Sequence, residues 1–586
     1  MSLPDYATPT TTPDAALPLH GSTVAMQRVL RQLCEALLSE GCARMITEQD
    51  GRLCWHLGPA MFRAQGRCGA FSRYRLAPGS IEIARDHSWQ PADLEDVLSS
   101  IDAPDAALAG LRTDLRRTAE LDDLNHQQIP RLIRRHQLGV AQMERALHEG
   151  HPYHPCYKAR SGFSDDDHLR FGPEAGQRFR LIGLLFHPDL IQQNLPDDEF
   201  WPRELGQPEW NRIQGIAANH DIDLGTRGYA LLPVHPWQWG QLAQDPLILA
   251  WQSDGQLLMI GEIGDHYSAT QSVRTLMNAD QPQRAHVKTA LAMRNTSSLR
   301  TLIPETVAIA PVISDWLAKV IAADPLLQHD YPLTLLPEYA GIIAGRGTAL
   351  EGHLAAIWRR SPAALGLPDT QMMPFNALSL TEDDGQPLIA PWIATHGRDR
   401  WLAQLIETAV LPVWHLMVAH GIGLEAHGQN LILQHDNGWP TGIITRDFHD
   451  GVEYVAPLLS RPDLCPDLAE IDPVFATAPL DQFHALACGD GLRELVMDTL
   501  FVFNLADLSD LMQRQFDLPE SCFWQRLRAR LDRYGADHGQ VQRMAALSPF
   551  APQIHAESLI TRKIDPDRTG AYRHLIDNPL ATAKDS

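Results

Sequence analysis

Several things are scarce in this chain of 586 residues, and each scarcity excludes something. No run approaches the ~18 apolar residues that a membrane span needs, so no membrane partner is expected. The opening MSLPDYATPTTTPDAALPL lacks the basic start and apolar centre of a secretory signal. Positive charge is in deficit: 49 Lys and Arg face 72 Asp and Glu, for a formal charge of −23. That argues against nucleic acid as the main partner, because nucleic acid rewards basic surface. The eight cysteines, at 34, 42, 54, 68, 156, 465, 488 and 522, include no CxxC. A zinc site of that type and a disulfide framework are therefore not expected, and free thiols fit a reducing, cytoplasmic location. Neither GxxxxGK[ST] nor GxGxxG occurs, so any phosphate is not held by a Walker or Rossmann loop.

What is present reads as an α+β protein of ordinary composition, 44% apolar and 21% charged. Residues 1–20, rich in Pro, Thr and Asp, read as a flexible tail. Residues 21–145 read as mostly helical, with helical spacing over 24–38, 94–101 and 129–149 and a small sheet between 53 and 83. Residues 146–325 carry short strand-like runs, at 179–186 and 229–234, among His-Pro turns. A helix over 308–322 is opened by Pro304-Glu305. Residues 326–586 return to apolar helical segments at 401–420, 492–503 and 522–533.

The most informative stretch is Glu425-Ala426-His427-Gly428-Gln429-Asn430, followed across an apparent hairpin by Arg446-Asp447-Phe448-His449. In kinase-type folds a loop Asn and a strand-end Asp hold Mg²⁺ against nucleotide phosphates. The pair Asn430 and Asp447 fits that scheme, which points to Mg-ATP. A basic island lies upstream: Arg274, Arg284, Lys288, Arg294 and Arg300 enclose one acid, Asp280. Residues 286–294 alternate with period two, so His286, Lys288 and Arg294 share a face with small Ala290 and Ala292, while Val287, Leu291 and Met293 face a core. Residues 295–298 offer capping side chains, and Thr296 and Arg300, four apart, would share a helical face at an anion-binding helix start. Residues 268–275 have the same hydroxyl-and-cation character. His151-Pro152-Tyr153-His154-Pro155 forces extended backbone at both histidines, with Lys158 and Arg160 beyond. The run Asp165–His168 reads as a solvated acidic turn rather than a metal cluster.

Six segments together resemble the IucA/IucC family of NRPS-independent siderophore synthetases. They are HPYHPCYKARSGF (151–163), LLPVHPWQ (231–238), SATQSVRTL (268–276), KTALAMRNTSSLRTL (288–302), EAHGQN (425–430) and RDFHDG (446–451), in the family's order. The resemblance implies a hand-like thumb, fingers and palm (21–145, 146–325 and 326–586), the palm kinase-like and largely helical, and a homodimer. It implies an enzyme that uses ATP and Mg²⁺ to activate citrate, a citrate derivative or another dicarboxylate derivative as an acyl adenylate, then joins it to an amine or alcohol. It puts Ser272, Arg274, Thr275 and Lys288 against ATP, with Arg300 between ATP and the carboxylate. It puts His154, Lys158, Thr296, Arg300 and His427 at the acid substrate. Gln429, Asn430 and Asp447, with Glu425 nearby, hold the nucleotide or its metal. His427, Arg300 and Lys288 are the implied catalytic groups. EAHGQN and RDFHDG resemble slightly more closely the subtype acting on monosubstituted acids. Two rivals remain: a small-molecule kinase, which would carry an Asp in the HxD position where this loop has Ala426-His427, and a non-catalytic anion-binding protein.

Overall fold

The computed structural model describes residues 23–49, 51–224, 228–296 and 298–582. The tail reading of residues 1–20, and Ser297 of the proposed capping run, lie outside the described residues.

The chain opens with helix Val24–Ser39, capped by Thr23, whose hydroxyl accepts the Met26 amide at 3.1 Å. It packs on helix Asp105–Gln128 and on a six-stranded sheet that begins with the meander Arg44–Gln49, Arg52–Leu57 and Ala60–Cys68. Leu33, Trp55, Phe62 and Leu115 form its core, which also takes Tyr153 and Cys156 from the His-Pro segment and Ile560 and Ile564 from near the other end of the chain. Glu40 clasps that distal segment, accepting the Ile560 and Thr561 amides and the Thr561 hydroxyl at 2.8–2.9 Å. The expected helix over 129–149 is broken: after Gln128 comes an extended stretch at Ile129-Pro130, then one 3-10 turn and the short helix Val140–Ala146. Pro130 lacks the amide a helix needs and biases Ile129 out of the helical region.

An eight-stranded antiparallel sheet follows. Its order is Ile191–Asn194, Glu338–Ala344, Leu354–Arg359, His286–Thr289, Thr275–Asn278, Leu257–Ala269, Phe179–Phe186 and Ala230–Val234. One face builds an apolar core from Leu184, Phe186, Leu232, Leu276, Val287 and Trp358. Helix Pro304–Ala322 lies along strand Glu338–Ala344. Pro311 inside this helix cannot donate to the Val307 carbonyl, and Gly341 presses against that same carbonyl, leaving only 2.2 Å for a Cβ.

The remaining residues form a four-stranded sheet, whose hairpin Leu431–Asp436 and Trp439–Thr445 carries the loop residues at its open end, and a helical mass. Helix Arg398–His420 is long and apolar enough to cross a membrane, which the residue-by-residue reading of the sequence did not anticipate. Its mean hydropathy comes from a core role: Trp401, Trp414, Leu416 and Met417 are fully buried against Phe501 and Trp524.

Candidate active site

Strand pairing sets one wall of the site. Thr275 lies opposite Lys288, and both His286 and Glu338 lie opposite Arg359. Opposed residues share a face and alternate residues return to it. Thr275, His286, Lys288, Arg359 and Glu338 therefore crowd one face, while Val287 and Leu276 enter the core behind. The alternation read from the sequence continues through Leu291 and Met293, also fully buried in that core.

The turn after strand Trp439–Thr445 docks onto this face. Asp447, at φ +67°, gives Oδ1 to the Arg359 guanidinium and to Lys288 Nζ, 3.5 Å away. The carboxylate of Glu338 accepts the Phe448 and His449 amides at 3.2 and 2.8 Å and His449 Nδ1 at 2.9 Å. His449 Nε2 lies 3.1 Å from the Asp450 carboxylate, as an ion pair without hydrogen-bond alignment. Despite burial, Asp450 and Glu338 hold this imidazole up at about 9. Asp447 is held well below the carboxylate range, its burial outweighed by Lys288 and Arg359. Lys288 is itself lowered by burial, against the pull of Asp447.

The second loop faces the turn. Asn430 Nδ2 donates to the Glu425 carbonyl (3.1 Å) and to Glu425 Oε2 (3.2 Å), leaving the amide oxygen of Asn430 for a ligand. His427 Nδ1 accepts the Gln429 amide at 3.2 Å, which leaves Nε2 to carry a proton, 3.8 Å from Glu425. Gly428 is required here because a Cβ would sit 2.8–3.0 Å from Asn376. Glu425, Asn430, Arg446 and Asp447 line one cleft. Asp447 Oδ2, which neither of its ion pairs uses, Asn430 Oδ1 and the half-exposed Glu425 are hard oxygen donors of the kind Mg²⁺ takes, with Gln429 adjacent. Among the described residues, the group of three His and carboxylate ligand atoms within 4.8 Å of one another is elsewhere, at Asp324, His415 and His420. There both imidazoles donate to one oxygen of Asp324, at 2.8 and 2.6 Å.

Arg300 closes the third side, in a way the sequence reading did not foresee. Residues 295–300 are no helix start; Leu291–Asn295 and Ser298–Arg300 form a hairpin with Thr296 at φ +57° in its turn. The four-residue spacing still brings Arg300 Nη2 to Thr296 Oγ1 at 3.0 Å, now across the turn. Arg300 Nε is buried without a partner, and burial beside Arg274 lowers the guanidinium to about 10, still charged at neutral pH. Arg274 braces the hairpin, donating to the Arg300 carbonyl at 3.2 Å and to that of Thr301. Ser272 Oγ receives the Thr275 amide at 3.0 Å in a tight loop where buried Val273 is forced to φ +65°. His151 and His154 each use Nδ1 to accept the amide two residues on, at 3.1 and 3.0 Å. Burial, then neighbouring cations and imidazoles including Arg300, holds His154 well below its usual pKa.

Two expectations change. Lys158, expected at the substrate, is fully buried with Nζ held by Asp122 (3.0 Å), the His148 carbonyl (2.8 Å) and Glu174 (3.4 Å), so its donors are spent on the fold. Of the island's other cations, Arg284 pairs with Asp265 at 2.8 Å and Arg294 is exposed, away from the cleft. Asp165–Phe171, expected as an acidic turn, is a helix whose start is capped by Ser164 and Asp167. The sequence reading missed Glu338, Arg359 and Glu144. Glu144 ties the two halves of the site, taking Arg446 at 2.9 Å and the Gln271 amide at 2.9 Å. A lone acid opening an apolar strand (Glu338) and the first of an Arg pair ending one (Arg359) were the available signals.

Thr275 Oγ1, His286 Nδ1, Arg300 Nε and Arg359 Nε are all buried without hydrogen-bond partners. Three of these lie on the sheet face and the fourth on the hairpin that closes the site, and unmet buried polar atoms of this kind suit an anionic ligand.

Residues 139–380 match the IucA / IucC family, and residues 399–571 match the family described as ferric iron reductase FhuF-like transporter. The citryl-spermidine/3,4-dihydroxybenzoyl-citryl-spermidine:spermidine ligase of Bacillus anthracis is 31% identical over 585 residues, 95% of this chain and 94% of that protein, so its likeness runs through both stretches. The crystal structure of the petrobactin biosynthesis protein AsbB from Bacillus anthracis superposes with a TM-score of 0.88 at 31% identity over 96% of each chain. Aerobactin synthetase IucC from Klebsiella pneumoniae superposes with a TM-score of 0.81 at 26% identity, covering 96% of this chain and 98% of that one. With the acids of 425–430 and 446–451 set beside the cations of 268–276 and 288–302, and a whole-length relative that is a ligase, the chain belongs to the IucA/IucC family of siderophore synthetases.

Proposed function

We propose that this enzyme activates a carboxylate of citrate, or of a citrate-like or dicarboxylate derivative, with ATP as an acyl adenylate, and passes the acyl group to an amine or alcohol in making a siderophore. The observation that carries the reading is the set of buried, unpaired polar atoms at Thr275, His286, Arg300 and Arg359, beside the Asp447 turn that Arg359 and Lys288 hold. A carboxylate is already ionised at neutral pH and needs no base to attack phosphorus. What it needs is offset of the repulsion between two anions, and Arg274, Lys288 and Arg300 supply that. The loop has no carboxylate at the position where a kinase would deprotonate an alcohol, which favours attack at the α-phosphate over transfer of the γ-phosphate.

In this reading Ser272, Arg274, Thr275 and Lys288 hold the nucleotide. Asp447 and Asn430, with Gln429 and Glu425 beside them, would hold Mg²⁺, which when bound neutralises phosphate charge. Arg300, Thr296 and His154 hold the acid, and His427 Nε2 orients the acyl group or takes a proton from the incoming amine. The reading takes the chain as a thumb (21–145), fingers (146–325) and a kinase-like palm (326–586), working as a cytoplasmic homodimer. Incubation with ATP, Mg²⁺ and a panel of citrate, 2-oxoglutarate and monosubstituted acids, trapped with hydroxylamine, is the test. Hydroxamate with AMP and pyrophosphate is expected. Stoichiometric ADP with a phosphorylated acid would replace this reading by the kinase one.

A further inference from the structure

Two helices end at one carboxylate. Asp324 follows helix Pro304–Ala322 and its cap Ala323, while His415 and His420 belong to helix Leu411–His420, which stops at Gly421. His415 Nε2 lies 2.8 Å and His420 Nε2 2.6 Å from the same oxygen, Oδ2 of Asp324. The other oxygen, Oδ1, accepts the Leu326 amide at 2.8 Å. The two imidazoles meet edge to face, with ring centres 5.3 Å apart. Both histidines are buried, and half-buried Asp324 gives the group its opening to solvent.

The surroundings suit a cation. The negative ends of two helix dipoles converge on the group. Arg543, which reaches the end of helix Leu411–His420, is spent on the Val418 and Leu458 carbonyls at 2.5 Å each. Despite burial, hydrogen bonds from both rings hold Asp324 below the usual carboxylate range, and burial lowers His415 against the pull of Asp324. An ionised carboxylate thus faces a neutral ring. Behind each ring stands a hydroxyl: His415 Nδ1 is 2.7 Å from Tyr534, and His420 Nδ1 is 2.7 Å from Ser460. A hydroxyl both donates and accepts. Each ring can therefore carry its proton on Nδ1 and keep a partner there, which turns both Nε2 lone pairs toward the Asp324 oxygen. Histidines that bind metals have such an outer partner, which fixes the tautomer and the ring plane.

We propose that Asp324, His415 and His420 bind a divalent transition ion of the zinc or ferrous type, through Oδ2 and the two Nε2 atoms, with the remaining position open to water. Two imidazoles and a carboxylate are a ligand set of that class, whereas Mg²⁺ takes oxygen. Donor atoms about 2.0 Å from tetrahedral zinc lie about 3.3 Å from one another, so the ion replaces the two shared protons with an opening of about half an ångström. Its role is to brace. It ties the end of helix Pro304–Ala322 to His420, from which Gly421 and strand Ile422–Leu424 lead into the Glu425–Asn430 loop. This goes beyond the proposed acyl activation and does not depend on it.

The test is titration of the chelator-treated full chain with Co²⁺ and Zn²⁺, followed by visible absorption, calorimetry and thermal unfolding, with diffraction at the zinc edge from crystals soaked in Zn²⁺. Co²⁺ should bind with the visible band of a four-coordinate site. Zn²⁺ should bleach that band and raise the unfolding midpoint, and a large excess of Mg²⁺ should do neither. Asp324→Asn, which keeps an acceptor for the Leu326 amide, should lose the band. Tyr534→Phe, which removes only the hydroxyl behind His415, should weaken Zn²⁺ about tenfold or more. Asp447→Asn should keep the band, which separates this ion from the Mg²⁺ of the cleft. A wild type without the band overturns the proposal, as does a band that survives Asp324→Asn, yields to Mg²⁺ or disappears in Asp447→Asn. If Asp324→Asn does not fold, the crystal decides: an anomalous peak among the three side chains is expected, and none there at saturating Zn²⁺ overturns the site.

Discussion

At the scale of the residue, Arg300 and Asp447 carry the sharpest consequences. Arg300 has one donor on Thr296 and another buried without a partner, so its energy of binding is held for a ligand. Loss of a charge-assisted hydrogen bond to a carboxylate costs about 1.5–3 kcal/mol. Arg300→Ala should therefore lower kcat/KM by about 10- to 100-fold or more, and Lys should restore little, since a point charge replaces a planar fork. Steady-state kinetics with the trapped acid checks this, and wild-type values would remove Arg300 from the site. Asp447→Asn should abolish turnover and keep the circular dichroism spectrum, because its partners Lys288 and Arg359 stay anchored in strands. Full activity at low Mg²⁺ would mean that the metal is bound elsewhere. Which residues meet was legible in part. The period-two pattern put Lys288 on the open face, and residue type picked Asp447. What could not be read was the partner of each. Lys158 looked like a ligand group because Asp122 and Glu174, which neutralise it, lie far off in sequence.

At the scale of the element, the tightest fit is helix Pro304–Ala322 on strand Glu338–Ala344. Pro311 frees the Val307 carbonyl, and the bare Cα of Gly341 lets the strand approach it. Gly341→Ala puts a methyl 2.2 Å from that oxygen, so helix and strand must part. The expected cost is about 1–3 kcal/mol, read as a lower midpoint in urea. Since Glu338 begins the same strand and holds the Asp447 turn, activity should fall further than stability alone explains. Long regular elements could be read from spacing: strand Phe179–Phe186 and helix Glu520–Asp537 were both visible in outline. Short ones were not. Thr296 to Arg300 satisfies a helix and a tight hairpin equally, because both bring residues four apart together; the choice is made by Leu291 and Met293, which need the sheet's core.

At the scale of the whole molecule, neutral buried histidines set the acid limit. His168 and His235 are lowered to about 3 and His435 and His574 to about 4, by burial above all. Each takes a proton near pH 6.5 once unfolded but not while folded. The unfolded chain therefore binds more protons below about 6.5, and stability falls as pH falls, by about 1.4 kcal/mol per pH unit for each such group. Thermal midpoints measured from pH 7.5 to 5 should drop with a slope that steepens below 6.5. His235→Asn, which keeps an acceptor for the Trp237 amide, should flatten that slope. The clasp between Glu40 and the Ile560-Thr561 amides joins residues 520 positions apart. On the ribosome, the core around Trp55 and Leu115 is made first and sealed last. Until then that core lacks Ile560 and Ile564 and the backbone amides that Glu40 holds. A chain stopped after residue 552 should thus accumulate as insoluble protein rather than as a weakened enzyme.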